Sequence, residues 1–202
     1  MITDINQLDL SKRYTYADYL TWQFDDMVEL IGGKIFKMSP APSRMHQEVS
    51  SNLSGIIWSY LKKRPCKIFS APFDVRLPLP PDQQKKQKID TVVQPDICVI
   101  CDIKKLDDHG CNGAPDWVIE ILSPKTSQKD LTEKFDIYQH AGVREYWVVH
   151  PSECTVIPYR MDSEGQYQLL RKTPFVKGEN VPVGVFSDLN ISLNEVFLDD
   201  EN

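Results

Sequence analysis

No apolar run in this chain approaches the roughly 18 residues a helix needs to cross a bilayer. The opening residues, MITDINQLDLSKR, also lack the apolar segment of a secretory leader, so the expected location is the cytoplasm. The five cysteines are an odd count, and with no leader they argue against a disulfide framework. Cys98 and Cys101 have the spacing of a zinc site, with Cys111 nearby. They fall in one expected strand, however, where positions three apart face opposite ways, and they read as packing residues. Net positive charge is missing too. The formal charge is −6, awkward for a nucleic-acid partner, because phosphate binding usually needs a basic surface. Basic residues cluster only locally: Lys62, Lys63 and Arg64; Lys85, Lys86 and Lys88; Lys125, Lys129 and Lys134. Most of these read as solvated faces. No internal repeat, low-complexity tract or helix-turn-helix is visible. The 202 residues, 41% hydrophobic and 26% charged, have the composition of a globular protein sized for one domain.

The chain is organised around residues 113–151. An apolar run, Trp117 to Leu122, is broken by a single acid, Glu120. A Ser-Pro turn follows, then an amphipathic segment, then a second apolar run, Glu145 to Val149. This is the pattern of strand, helix and strand. A carboxylate inside a buried strand is costly unless something uses it. A second acid, Asp96, opens another apolar run, Ile97 to Cys101, after a strand-starting Pro95. If the two strands are neighbours, Asp96 and Glu120 can converge on one cation. Hard divalent ions such as Mg²⁺ take carboxylate oxygens. Asp116 is a competing acid after Pro115. At ~3.3 Å per residue it lies roughly 13 Å from Glu120, too far to share a metal, and reads as a strand-start residue.

Elsewhere the signals are local. Residues 1–13 are polar and expected to be loose. Thr15 caps a short helix from Tyr16 to Trp22, with Asp18 near its N-terminus. Gly32-Gly33 joins two strand-like runs between Val28 and Met38 as a tight hairpin, with Glu29 in the first. Ser43 caps the strongest helix, Met45 to Lys63, which carries Val49, Leu53, Ile56, Ile57, Tyr60 and Leu61 on one face. Pro65 stops it, and His46 sits in its first turn. Cys66 to Leu77 reads as a strand interrupted at Ala71-Pro72. Residues 77–90, Pro-rich and then polar, read as a long mobile loop, a candidate substrate flap, and residues 102–114 as a second polar loop. The next helix is expected over Ser127 to Ala141, stopped by Gly142. On it Leu131, Phe135 and Tyr138 mark an inward face, and Asp130, Lys134 and Tyr138 share a stripe. Two runs flanking 162–165 read as a hairpin, and Ser192 with Glu195 as a capping box for a last short helix.

The segments VELIGGKIFKMSPAPSRMHQ, QPDICVI, APDWVIEILSPKT and GVREYWVVHP, in this order, resemble a bacterial "putative restriction endonuclease" family of unknown function. The Pro-Asp, followed about two dozen residues later by an acid on the next strand, is similar to the PD-(D/E)xK nuclease superfamily. The resemblance implies an α/β, restriction-endonuclease-like core of helix, mixed central sheet and helix, with extra β-hairpins at both ends. It also implies metal-assisted hydrolysis of phosphodiester bonds in nucleic acid, with DNA the expected substrate. Asp96 and Glu120 would hold Mg²⁺, with Mn²⁺ as substitute. The resemblance adds Glu29 and His46 to the site, and by analogy a homodimer. The chain departs from the superfamily at one place. The expected lysine, two residues after the acid, is Leu122. Lys134 is the leading substitute and Lys125 the next. Without a substitute, the chain would be an inactive nuclease scaffold serving as a binding or assembly module.

Overall fold

A computed structural model describes residues 2–38, 42–78, 89–123 and 130–199, the side chains of 130 and 131 excepted. Helix α1 is Tyr16–Tyr19, where Thr15 and Asp18 form the reciprocal capping box. Strands β1 (Val28–Ile31) and β2 (Lys34–Lys37) make the expected hairpin. Its turn needs left-handed backbone, and Gly32 and Gly33 supply it at φ 53° and 79°. Helix α2, Arg44–Leu61, starts at Ser43, whose side chain accepts from the His46 amide. It buries Val49, Leu53, Ile57 and Leu61, the predicted stripe.

The interrupted strand divides into β3 (Lys67–Ser70) and β4 (Val75–Arg76), which belong to different sheets. Next come β5 (Val92–Val93) and β6 (Ile97–Ile100). The loop expected over 102–114 instead holds a hairpin, β7 (Leu106–Asp107) and β8 (Gly110–Asn112). Gly110 lets β8 lie against β4, since a Cβ there would stand 2.2 Å from the Asp74 carbonyl oxygen. Strand β9 is Trp117–Ile121. The following helix opens as a π-turn, Asp130–Lys134, and continues as α3, Phe135–Ala141, ended by Gly142 in left-handed conformation. Strands β10 (Glu145–His150), β11 (Thr155–Met161) and β12 (Tyr167–Leu169) follow, the last two as the expected hairpin. The chain closes with β13 (Phe175–Val176), β14 (Asn180–Pro182), β15 (Asn190–Ser192) and helix α4 (Leu193–Val196). The expected capping box does not form there. Ser192 ends β15 and its side chain makes no cap bond.

The central sheet runs β12-β11-β10-β9-β6-β3, with β13 also on β11. It is mixed: β9 and β10 are parallel, while β6 and β9 are antiparallel. A second sheet runs β2-β1-β5-β4-β8-β7. The N-terminal hairpin is therefore the edge of a full sheet rather than an appendage. Alternation along β9 sorts two cores. Trp117, Ile119 and Ile121 pack with α2 and the C-terminal segment. Val118 and Leu122 pack with α3 and with Val75, Val93 and Cys111 of the second sheet. This matches the expected α/β architecture.

Two expectations need correction. Segment 2–13 is tied down: Leu8 is buried and Ile2 bridges to Trp22. Cys66 and Cys101 form a disulfide, against the expectation of no disulfide framework and of Cys101 as a packing residue. The pairing follows from register, since Lys67 opposite Ile100 continues to Cys66 opposite Cys101. That bond also removes Cys101 from any zinc set, and Cys98 and Cys111 are buried thiols.

Candidate active site

The site is built where the second sheet meets the central sheet and α3. The β6–β9 register sets Ile97 opposite Ile119 and, one residue further, Asp96 opposite Glu120. Asp96 Oδ2 accepts from the Ile121 amide at 2.7 Å, which ties the two acids to one spot. Glu29 arrives from β1. Strand β1 pairs with β5 through Leu30 and Val92, and this brings Glu29 beside Gln94. The Gln94 amide donates to Glu29 Oε1 at 3.1 Å.

Lys134 ends the π-turn and enters this acidic place from the α3 side. Its ammonium lies 2.9 Å from Glu120 Oε1 and 3.0 Å from Glu29 Oε1. Glu29, Glu120 and Lys134 are each 4% exposed or less. Two carboxylates cannot stay charged at that depth without a cation between them, and Lys134 is that cation. Tyr138, one turn on, donates to the same Glu120 oxygen at 2.6 Å. Burial first, then the charges of Glu120 and Glu29, push the Tyr138 phenol well above its ordinary pKa. It therefore remains a proton donor at any working pH. Lys134 and Tyr138 thus act from the predicted stripe.

His46, at the start of α2, places Nε2 3.2 Å from Asp96 Oδ1. The Asp96 side chain keeps 22% of its surface exposed, so the site opens to solvent at this carboxylate. Asp116 does the separate job expected of it, accepting from the Cys101 amide and from Arg144. Lys125, like Lys129 and the flap segment 79–88, lies outside the described residues. Sequence reasoning missed Gln94. Its contribution to the acids is a backbone amide, which no residue type signals.

A family profile, Uma2, described as "Putative restriction endonuclease", matches residues 16–194. The chain belongs to this family. It is 27% identical to a crystallised protein of Anabaena variabilis, titled a putative nuclease belonging to DUF820. That match has a TM-score of 0.69 and covers 91% of this chain and 97% of the other. An uncharacterized protein of Synechocystis is 25% identical over 156 residues, 76% of this chain and 77% of that one. The Uma2 match and the shared architecture make this a nuclease-like protein.

No three His, Cys, Asp or Glu side chains among the described residues are grouped to hold a metal ion. The donor chemistry still suits a hard divalent cation. Among the described residues, Asp96, Glu120 and Glu29 offer only carboxylate oxygens, three negative groups of which Glu120 and Glu29 meet the Lys134 ammonium. No helix among the described residues is long and apolar enough to cross a membrane.

Proposed function

We propose that this chain is a metal-dependent nuclease that hydrolyses phosphodiester bonds, with DNA as substrate. The observation that carries the reading is the Lys134 ammonium beside Glu120. It occupies the chemical role left vacant by Leu122, and it arrives from the next helix instead of the same strand. Asp96 and Glu120 would hold Mg²⁺, or Mn²⁺ in its place. When bound, the ion polarises the phosphate and lowers the pKa of a coordinated water. Lys134 faces the negative charge that develops on the phosphate oxygens. Glu29 and Tyr138 are positioning residues. Glu29 grips the ammonium from the far side, and Tyr138 fixes the Glu120 oxygen. His46 orients Asp96 through the contact of its Nε2 with Oδ1. One such site nicks one strand. Cutting a duplex calls for two, so a homodimer belongs to the same proposal.

The test is cleavage of single- and double-stranded DNA with Mg²⁺, with Mn²⁺ and with chelator. The expected result is cleavage that needs the ion and disappears in Asp96→Asn. Cleavage of equal rate in chelator, or undiminished in Asp96→Asn, would overturn it.

A further inference from the structure

A cavity of about 320 Å³ shares Gln94 with the acidic site and is lined by Tyr16, Leu20, Phe73, Asp74, Gln94 and His109 among others. Gln94 belongs to both places. Its backbone amide holds Glu29, and its side chain forms part of the cavity wall. We propose that this cavity receives one unpaired, amino-bearing nucleobase, guanine above all, beside the nuclease site. The proposal rests on the nuclease reading and names the part of the substrate that the chain reads.

Two polar atoms in this wall lack partners among the described residues. Gln94 is 9% exposed, and its Nε2 donates to Asp74 Oδ1 at 2.7 Å. That bond fixes the amide and turns Oε1 away from Asp74. Oε1 is buried with no hydrogen-bond partner, and so is the Tyr16 hydroxyl. Buried polar atoms of this kind cost stability until a partner meets them. Asp74 adds a carboxylate, already oriented by Gln94 and by the Tyr19 hydroxyl at 3.3 Å. The Gln94 Oε1 and the Asp74 carboxylate are acceptors that ask for N–H donors, while the Tyr16 hydroxyl can pair either way.

Shape and charge narrow the class of ligand. The Tyr16 ring has Arg76 5.1 Å from its centroid and Tyr19 stacked at 5.9 Å. Phe73 is stacked on Phe69 at 4.1 Å. Such rigid aromatic walls suit a flat ring. Asp74 and Asp108, beside the Asp107–Arg76 ion pair, disfavour phosphate, so a nucleotide enters base first. Its phosphate then stays outside the cavity. Guanine carries a ring N–H next to an amino group, two adjacent donors that match a carboxylate and an amide oxygen. Uracil and thymine offer one N–H between two carbonyls, which would face acceptors with acceptors.

The test is a titration of the full chain by ¹H–¹⁵N spectroscopy with guanosine, cytidine, uridine and spermidine. Guanosine should shift the amides of Asp74, Gln94 and His109. Uridine should bind about tenfold more weakly, the scale of one lost bidentate contact. Leu20→Trp, at an exposed position on the cavity rim, should abolish guanosine binding without unfolding the protein. Asp74→Asn should remove the preference for guanosine. Equal response to guanosine and uridine, tighter binding of spermidine than of guanosine, or guanosine binding unchanged in Leu20→Trp would each overturn the proposal. Asp96→Asn keeps the cavity and should still bind guanosine. Guanosine binding in a protein that cleaves nothing would count against the nuclease reading alone. Cleavage with no nucleoside response would count against the cavity alone.

Discussion

Lys134→Met keeps the length of the side chain and removes its charge. In the wild type, one ammonium separates two buried carboxylates, at 2.9 Å from Glu120 and 3.0 Å from Glu29. The two oxygens are thus no more than about 6 Å apart. With an effective dielectric constant near 20, two unit charges at ~5–6 Å repel by about 3 kcal/mol. Breaking a buried ion pair by removing one partner costs about 3–5 kcal/mol in general, which agrees. Lys134→Met should therefore lose about 3 kcal/mol in urea unfolding, a large share of a typical domain's stability. Glu29→Gln added to Lys134→Met should return most of that loss, because it removes one of the two like charges. Mn²⁺ should stabilise Lys134→Met more than it stabilises the wild type, since it would replace the missing cation. A Lys134→Met protein within about 0.5 kcal/mol of wild type, the scale of an ordinary surface change, would refute the reasoning. So would a double variant no more stable than the single one.

Other outcomes follow from the same contacts. Asp96→Asn and Glu120→Gln should each weaken Mn²⁺ binding in calorimetric titration while leaving the fold intact; unchanged affinity in both would remove the shared site. Tyr138→Phe deletes a donor to a charged oxygen and should cost about 1.5–3 kcal/mol, read by urea unfolding. At the surface, the Arg171 side chain, then the Val176 amide, draws Glu179 down from 4.5 to about 2. A lowered carboxylate pKa adds stability above the unfolded value, and that stability is lost as pH falls through the folded value. The melting-temperature advantage of wild type over Glu179→Gln should be constant above pH 5 and shrink toward pH 2. A difference independent of pH would contradict it.

Much of the site was legible because acids are conspicuous in apolar strands. Asp96 and Glu120 break runs that otherwise read as buried, and β6 beside β9 was the simplest way to join them. Lys134 and Tyr138 share one helical stripe, and that spacing survives the π-turn before α3. Glu29 and His46 were harder. Each has an ordinary surface alternative, and only family resemblance singled them out. What stayed hidden depends on register or on backbone. The Cys66–Cys101 bond comes from a cross-strand alignment that spacing does not encode. Strands β7 and β8 are too short and polar to show alternation, and what holds β8 in place is the close approach of Gly110 to Asp74. Gln94 serves the acids through its amide, so its side chain gave no sign.

The most direct measurement is Mg²⁺-dependent cleavage of DNA by wild type, Lys134→Ala and Asp96→Asn, side by side. The wild type should cut, and Asp96→Asn should not. Lys134→Ala should fall by at least ~100-fold, the scale of losing one positioned group that stabilises charge in the transition state. Wild-type activity retained in Lys134→Ala, or no cleavage by the wild type with either Mg²⁺ or Mn²⁺, would contradict this mechanism.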